Sequence, residues 1–163
     1  MTIELIKKLD IIESNCDNLL FLGGRPDNNT NERIRGFKEA NRQAGINFCD
    51  DQILICGYAA QKVQDALDHY FKENGAIPSG VLVNSTISLE GVMNWFHKKE
   101  PELLQQLSFG CFDWDPFAAM IRPDIIMVRQ NVNKMVNTLF DLMDDDTVEN
   151  DVLIQIEPSL LVP

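Results

Sequence analysis

Four places in the 163-residue sequence set polar or aromatic residues directly after a short apolar run. They are Gly23-Gly24 with Arg33 in the segment that follows, Gly57-Tyr58, Asn84-Ser85-Thr86, and Asp113-Trp114. These residue types suit recognition of a polyhydroxylated or anionic small molecule. A guanidinium at Arg33 makes forked contacts with vicinal hydroxyls or a phosphate. A ring at Tyr58 stacks on a sugar face, and a carboxylate at Asp113 accepts two hydroxyls. Each position also has an ordinary structural reading: a surface arginine, a packing ring, and helix or turn caps at Asp113, Ser85 or Thr86.

Other chemistries find no support in the residues. His69 and His97 both fall inside helical segments, away from any Ser-His-Asp or Cys-His arrangement, so no enzyme is expected. A small phosphosugar enzyme would need an acid–base pair that is not apparent. Gly23-Gly24 is neither GxGxxG nor a Walker loop, and no nucleotide cofactor is expected. Cys16, Cys49, Cys56 and Cys111 contain no CxxC pair and read as reduced, buried thiols without a metal or redox role. Asp144-Asp145-Asp146 with Glu149 lacks the alternating ligands and central glycine of a calcium loop, and reads as a solvated acidic turn.

Charge and hydropathy narrow the class further. Fourteen Lys+Arg against 25 Asp+Glu give a net charge of -11, the wrong sign for a surface that grips phosphates in DNA. The longest apolar runs fall far short of the ~20 residues that cross a bilayer. The N-terminus mixes charges with its apolar residues and has no signal-peptide pattern, so a cytoplasmic location is expected. The Asn28-Asn29-Thr30 and Asn84-Ser85-Thr86 triplets are then chance matches to a glycosylation site.

Strand-like runs alternate with longer runs of helical period, the signature of an α/β fold with a parallel sheet flanked by helices. Strands are expected at 19–24, 52–56, 80–83, 107–112, 125–129 and 152–156. A helix should begin near Asn29 with Glu32 completing a capping box, placing Arg33 in its first turn. Val63, Ala66, Leu67, Tyr70 and Phe71 mark a second helix, and Leu89, Val92, Met93 and Phe96 a third. Val132, Met135, Val136, Leu139 and Phe140 form one stripe on a helix over 131–143.

In this order the pieces resemble the LacI/GalR family of bacterial transcriptional regulators. Phe21-Leu22-Gly23-Gly24 followed by Glu32-Arg33-Ile34-Arg35-Gly36-Phe37-Lys38-Glu39-Ala40 is similar to the family's "LGG … eRxxGFxxA". Ile77-Pro78-Ser79-Gly80-Val81-Leu82-Val83, Leu89-Glu90-Gly91-Val92-Met93, Gly110-Cys111-Phe112-Asp113, Val128-Arg129-Gln130 and Glu157-Pro158-Ser159-Leu160-Leu161-Val162 resemble its later segments in order. The likeness runs along nearly the whole chain.

The resemblance implies a periplasmic-binding-protein-like fold and an effector-binding role. It makes residues 14–124 and 152–163 the C-terminal subdomain, and assigns 125–151 to a fragment of the N-terminal one. The family's DNA-binding helix-turn-helix has no counterpart here, so Met1 is expected to start inside a longer regulator that reads operator DNA through that domain. The implied effector contacts are Arg33, Tyr58 and Asp113, with Gln130 beside the pocket, and Ser85 is also counted among the ligand-binding positions. The family carries Asn-Asp where this chain has Ser85-Thr86. That departure is similar to the fructose repressor (catabolite repressor/activator) branch, whose effectors are fructose phosphates.

A homodimer is implied too, through Trp95, Trp114, Phe117 and Met120, although Trp95 also reads as core. The stripe on 131–143 is expected to fold back on its own domain or to meet a second chain. A sugar-binding protein of an importer shares the implied fold and is the alternative, against which the lack of a signal peptide argues.

Overall fold

Four consecutive apolar residues, all buried, form the strand β1 (Leu19–Leu22), and in the computed structural model it lies inside a six-stranded sheet. The structure describes residues 18–46, 48–74, 77–144 and 153–163. The other strands are β2 (Ile53–Leu54), β3 (Gly80–Val83), β4 (Ser108–Phe112), β5 (Ile126–Arg129) and β6 (Ser159–Leu161), and the sheet order is β2-β1-β3-β4-β5-β6. Among the described strands only β6 is antiparallel. The helices are α1 (Asn28–Ala44), α2 (Ala60–Asn74), α3 (Thr86–Lys99), α4 (Pro101–Gln106), α5 (Pro116–Ile121) and α6 (Val132–Asp144).

Alternate strand residues build two cores. Leu20, Leu22, Val81, Val83 and Cys111 meet Val63 and Leu67 of α2 and Val92, Trp95 and Phe96 of α3 on one face. Leu19, Phe21, Leu82 and Val128 meet Phe37 and Ala40 of α1 on the other. The α/β fold class is as expected, a mainly parallel sheet with helices on both sides.

Several local details differ from the sequence reading. Helix α1 is capped by Asp27, whose carboxylate accepts from the Thr30 amide at 2.8 Å, not by a box around Asn29. Glu32 is instead hydrogen-bonded to Arg35, and Arg33 falls in the second turn. Strand β2 is shorter than 52–56 because Gln52 belongs to a 3-10 turn, where its buried amide donates to Asn18 Oδ1 at 2.6 Å and the Leu19 carbonyl at 3.1 Å. The last strand forms at Ser159–Leu161, where the chain comes alongside β5, whereas 153–156 carry no regular structure. Residue 152 and most of the acidic turn, 145–151, lie outside the described residues.

Ile126–Arg129, which the expected division put in the segment leaving this sheet, pairs in parallel with β4. The helix that follows is not packed on the sheet: α6 has no buried residue, and Leu139 and Phe140 are 57% and 59% exposed. In the single chain it does not fold back on its own domain. Both faces of the sheet already carry their helices, so the stripe finds no open apolar surface there.

The α2/α3 contact depends on a missing side chain. A Cβ added to Gly91 would lie 2.7 Å from the Ala60 carbonyl oxygen and 2.7 Å from Val63 Cβ, and a main-chain oxygen cannot swing aside. Helix propensity favours Gly91→Ala by about 1 kcal/mol, while overpacking costs about 1–3 kcal/mol. The clash should win, so Gly91→Ala is expected to lower the urea unfolding free energy by about 1–2 kcal/mol. Equal or greater stability would show that the helices are free to separate.

Candidate functional site

The chain moves from β1 outward to β2, then returns past β1 to β3 and continues one way to β5. A parallel sheet that reverses direction opens a crevice at the carboxyl ends of the strands flanking the reversal. Here those ends are Gly23-Gly24 after β1 and Asn84-Ser85 after β3.

Arg33 reaches over this crevice from α1. Its Nη1 donates to the Asn84 carbonyl and its Nη2 to Asp113 Oδ1 at 3.4 Å, while the guanidinium carbon lies 4.2 Å from the centre of the Phe112 ring. One arginine thus ties α1 to the ends of β3 and β4. The pair is half-wet, with side chains 18% and 43% exposed for Arg33 and Asp113, so its Coulomb energy contributes at most about 1 kcal/mol. Its worth lies in holding a fork and a carboxylate edge at the mouth of the crevice.

Asp113 is the one non-glycine with positive φ, 67°, among the described residues. The left-handed region disfavours residues with a Cβ, although Asp tolerates it better than most. That conformation turns the chain sharply at the end of β4, and the Trp114 amide then donates to the Val128 carbonyl at 2.9 Å.

The glycines after β1 admit close neighbours. A Cβ on Gly24, which has φ +83, would meet Asn84 Nδ2 at 2.6 Å and Thr30 Oγ1 at 2.7 Å. Gly57 closes the β2 end by donating its amide to the Gly24 carbonyl at 2.7 Å. Tyr58 follows, with the Arg25 guanidinium 5.2 Å above its ring.

The expected contact residues therefore share one rim but not one hollow. Asp113 and Gln130 line a cleft of about 530 Å³ together with Trp114, Arg129, Asn131 and Glu157. Tyr58 lines a second cleft, of about 490 Å³, with Arg25, Gly57 and Lys62. Arg33 sits between them. Ser85 is buried and caps α3, its hydroxyl accepting from the Ser88 amide at 3.4 Å; helix capping is its visible role. Arg25, Arg129 and Glu157 were not singled out in the sequence. Arg25 directly follows the glycine pair, a position that could have marked it, but Glu157 reaches the cleft only through the return of the last strand.

The residues expected at a dimer surface divide. Trp95 is 4% exposed, stacks on Phe71 with centroids 4.7 Å apart, and donates its Nε1–H to Asp68 at 2.8 Å, so it belongs to the core. Phe117 and Met120 on α5 are 71% and 76% exposed, and Trp114 beside them is 36% exposed. Phe117 also lines an apolar groove between α3 and α5 of about 420 Å³.

Burial pushes the thiols of Cys56 and Cys111 above the ordinary range, whereas Cys49, expected to be buried, is exposed because it stands at the start of the 3-10 turn before β2. Among the described residues no group of three or more His, Cys, Asp or Glu is placed to hold a metal ion, and no helix is long and apolar enough to cross a membrane.

The sequence matches the periplasmic binding protein-like domain over residues 10–163. A comparison with curated proteins returned no match. Similar solved structures include a regulatory protein of the LacI family from Chloroflexus aggregans, with TM-score 0.82 at 16% identity over 99% of this chain and 58% of that one. The Cra transcriptional dual regulator from Pseudomonas putida in complex with fructose 1-phosphate gives TM-score 0.78 at 14% identity over 99% and 59%. The transcriptional regulator CelR in complex with cellobiose gives TM-score 0.78 at 18% identity over 99% and 51%. The chain thus spans less than two thirds of each of these proteins, and at these identities the likeness shows the fold.

The strained turn at Asp113 yields a test. Glycine removes a left-handed penalty of about 1–2 kcal/mol, and the ion pair forfeited contributes less. Asp113→Gly is therefore expected to raise unfolding stability by about 0.5–1 kcal/mol, and Asp113→Val to lower it by more than about 1 kcal/mol. Urea titrations of the two variants check this; a glycine variant less stable than the parent would mean that the Arg33 contact outweighs the backbone.

Proposed function

This chain belongs to the periplasmic binding protein-like domain family, and from that premise we propose that it is the effector-binding and dimerisation part of a bacterial LacI-type transcriptional regulator of carbohydrate metabolism. Its effector is a sugar or a sugar phosphate, bound at the carboxyl ends of the strands. One observation carries the reading: Arg33 and Asp113, 80 residues apart, meet at 3.4 Å over the crevice where the sheet reverses. A fork donor beside a carboxylate acceptor matches the alternating needs of vicinal hydroxyls.

Binding, not catalysis, is the assigned role. Recognition groups line the rim, while the thiols of Cys56 and Cys111 are held protonated by burial. Gln130 and Tyr58 flank the Arg33–Asp113 pair from the two neighbouring clefts. With a net charge of -11, operator DNA is assigned to a separate helix-turn-helix domain of the regulator, and the location to the cytoplasm. An effector shifts such a regulator only through unequal affinity for its open and closed states.

The homodimer is assigned to the α5 face, where Trp114, Phe117 and Met120 are exposed with Ile87 and Ile121 at 62% and 71%. A specific interface of this kind buries about 800 Å² on each partner.

Two measurements test the reading. In the intact regulator, Arg33→Ala is expected to weaken effector binding by about 2–5 kcal/mol, the cost of leaving a hydrogen-bonded charge without its partner. Calorimetric titration with fructose 1-phosphate and a set of monosaccharides reads this, and unchanged affinity would remove Arg33 from the site. Sedimentation at micromolar concentration is expected to show a dimer that Phe117→Asp with Met120→Asp dissociates. A parent chain that sediments only as a monomer would remove the α5 interface.

A further inference from the structure

We infer that the cleft after β2 is an anion subsite, in which Arg25 and Lys62 hold the phosphoryl group of a phosphorylated ligand beside Tyr58. The inference rests on the strand ends being the ligand site and names the chemical class of that ligand.

The argument is an account of which cations at the rim are free to meet an anion. Arg33 already faces Asp113 and the Asn84 carbonyl. Arg129 lies 4.8 Å over the Trp114 ring, in a cleft that also contains Asp113 and Glu157. An anion entering either place meets a carboxylate. The cleft after β2 differs: its lining includes Arg25 and Lys62 and no Asp or Glu. Among the described residues neither cation is in an ion pair with a carboxylate. The nearest acid along the chain from Arg25, Asp27, is turned to the Thr30 amide as the cap of α1; that hydrogen bond chiefly, with a smaller Coulombic pull from Arg25 and Arg33, holds its carboxyl below the ordinary range.

Two positive charges lining one hollow of a chain with net charge -11 raise its local potential against the sign of the whole molecule. An arginine fork supplies two parallel donors to phosphate oxygens, and a lysine supplies a mobile point charge. Gly57 at φ +82, with only Lys62 Cδ at 3.8 Å from where its Cβ would be, leaves the main chain open to a bulky group. Helix α2, 15 residues long, begins at this hollow with Ala59 and Lys62 in its wall, so its first-turn amides add to the field. The ends of β2 and β3 are two strand spacings apart, roughly 10 Å. A phosphorylated hexose with its phosphate at Arg25 and Lys62 extends its hydroxyls across that distance toward Arg33, whose guanidinium meets the Asn84 carbonyl at the end of β3.

The test titrates inorganic phosphate into the ¹⁵N-labelled chain and follows amide shifts. Saturable shifts are expected at Gly24, Arg25, Gly57 and Tyr58, retained in Arg33→Ala and weakened at least about tenfold in affinity in Arg25→Gln with Lys62→Gln. Both cations are exposed, and unchanged signals from the sheet would show that the double variant is folded. No saturable shift at these amides overturns the inference. So do shifts that survive the double variant, that vanish in Arg33→Ala, or that chloride reproduces equally. None of these results touches the sugar-binding reading itself, which fails separately if Arg33→Ala leaves effector affinity unchanged.

Discussion

A strand–helix–strand connection between parallel neighbours is right-handed almost without exception, so the face on which its helix lies is set by the direction the chain travels along the sheet. This chain changes direction once, after β2. Helix α1, spanning the outward step, therefore covers one face, and α2, α3 and α5, spanning the return, cover the other. The same reversal leaves β1 and β3 side by side with their following segments parting to opposite faces. The crevice, the reach of Arg33 across it, and the two apolar cores all descend from that single change of direction.

Electrostatics then refines what the topology opens. Each cleft at the rim contains an arginine, but the carboxylates are unevenly shared, with Asp113 and Glu157 both on the β4–β5 side. The glycine pair after β1 lets Thr30 and Asn84 press against the main chain, closing the crevice floor with side chains instead of solvent. Asp113 keeps a costly left-handed conformation that a glycine would adopt freely. A residue that sacrifices backbone energy at a strand end, and whose carboxylate faces the site's arginine, fits selection for recognition over stability.

Much of this was legible in the residues. Uninterrupted apolar runs such as Leu19–Leu22 and Gly80–Val83 announce buried parallel strands, and they form with every residue buried. The positions after them are then readable as site candidates, because a parallel sheet can place its ligands nowhere better. What escaped were pairings set by distant geometry. Nothing near Ser159 reveals that the chain meets β5 there and not at 153–156, since an edge strand is chosen by what lies alongside it. Trp95 could belong to a surface or a core, and only its stacking on Phe71 decides for the core. Arg25 had only its place after the glycine pair to mark it; its setting comes from Tyr58, 33 residues later, and from a cleft lining without Asp or Glu.

Helix α6 shows why local pattern and tertiary placement are separate questions. Its stripe of Val132, Met135, Val136, Leu139 and Phe140 satisfies the helical period as well as any helix in the chain, yet all five are 43% exposed or more. Full burial would stabilise each by about 1.5–3 kcal/mol, and the five together by an energy comparable to the whole stability of a small domain. Periodicity dictates that a helix forms and which side is apolar, but it does not supply the surface that side requires. The sheet cannot supply it either, because its two faces already carry α1 and the α2–α3–α5 layer. Helix α6 follows Gln130 and Asn131, which line the same cleft as Asp113. Val132, the first residue of the stripe, lines that cleft as well, so whatever covers the stripe approaches the same rim as Asp113.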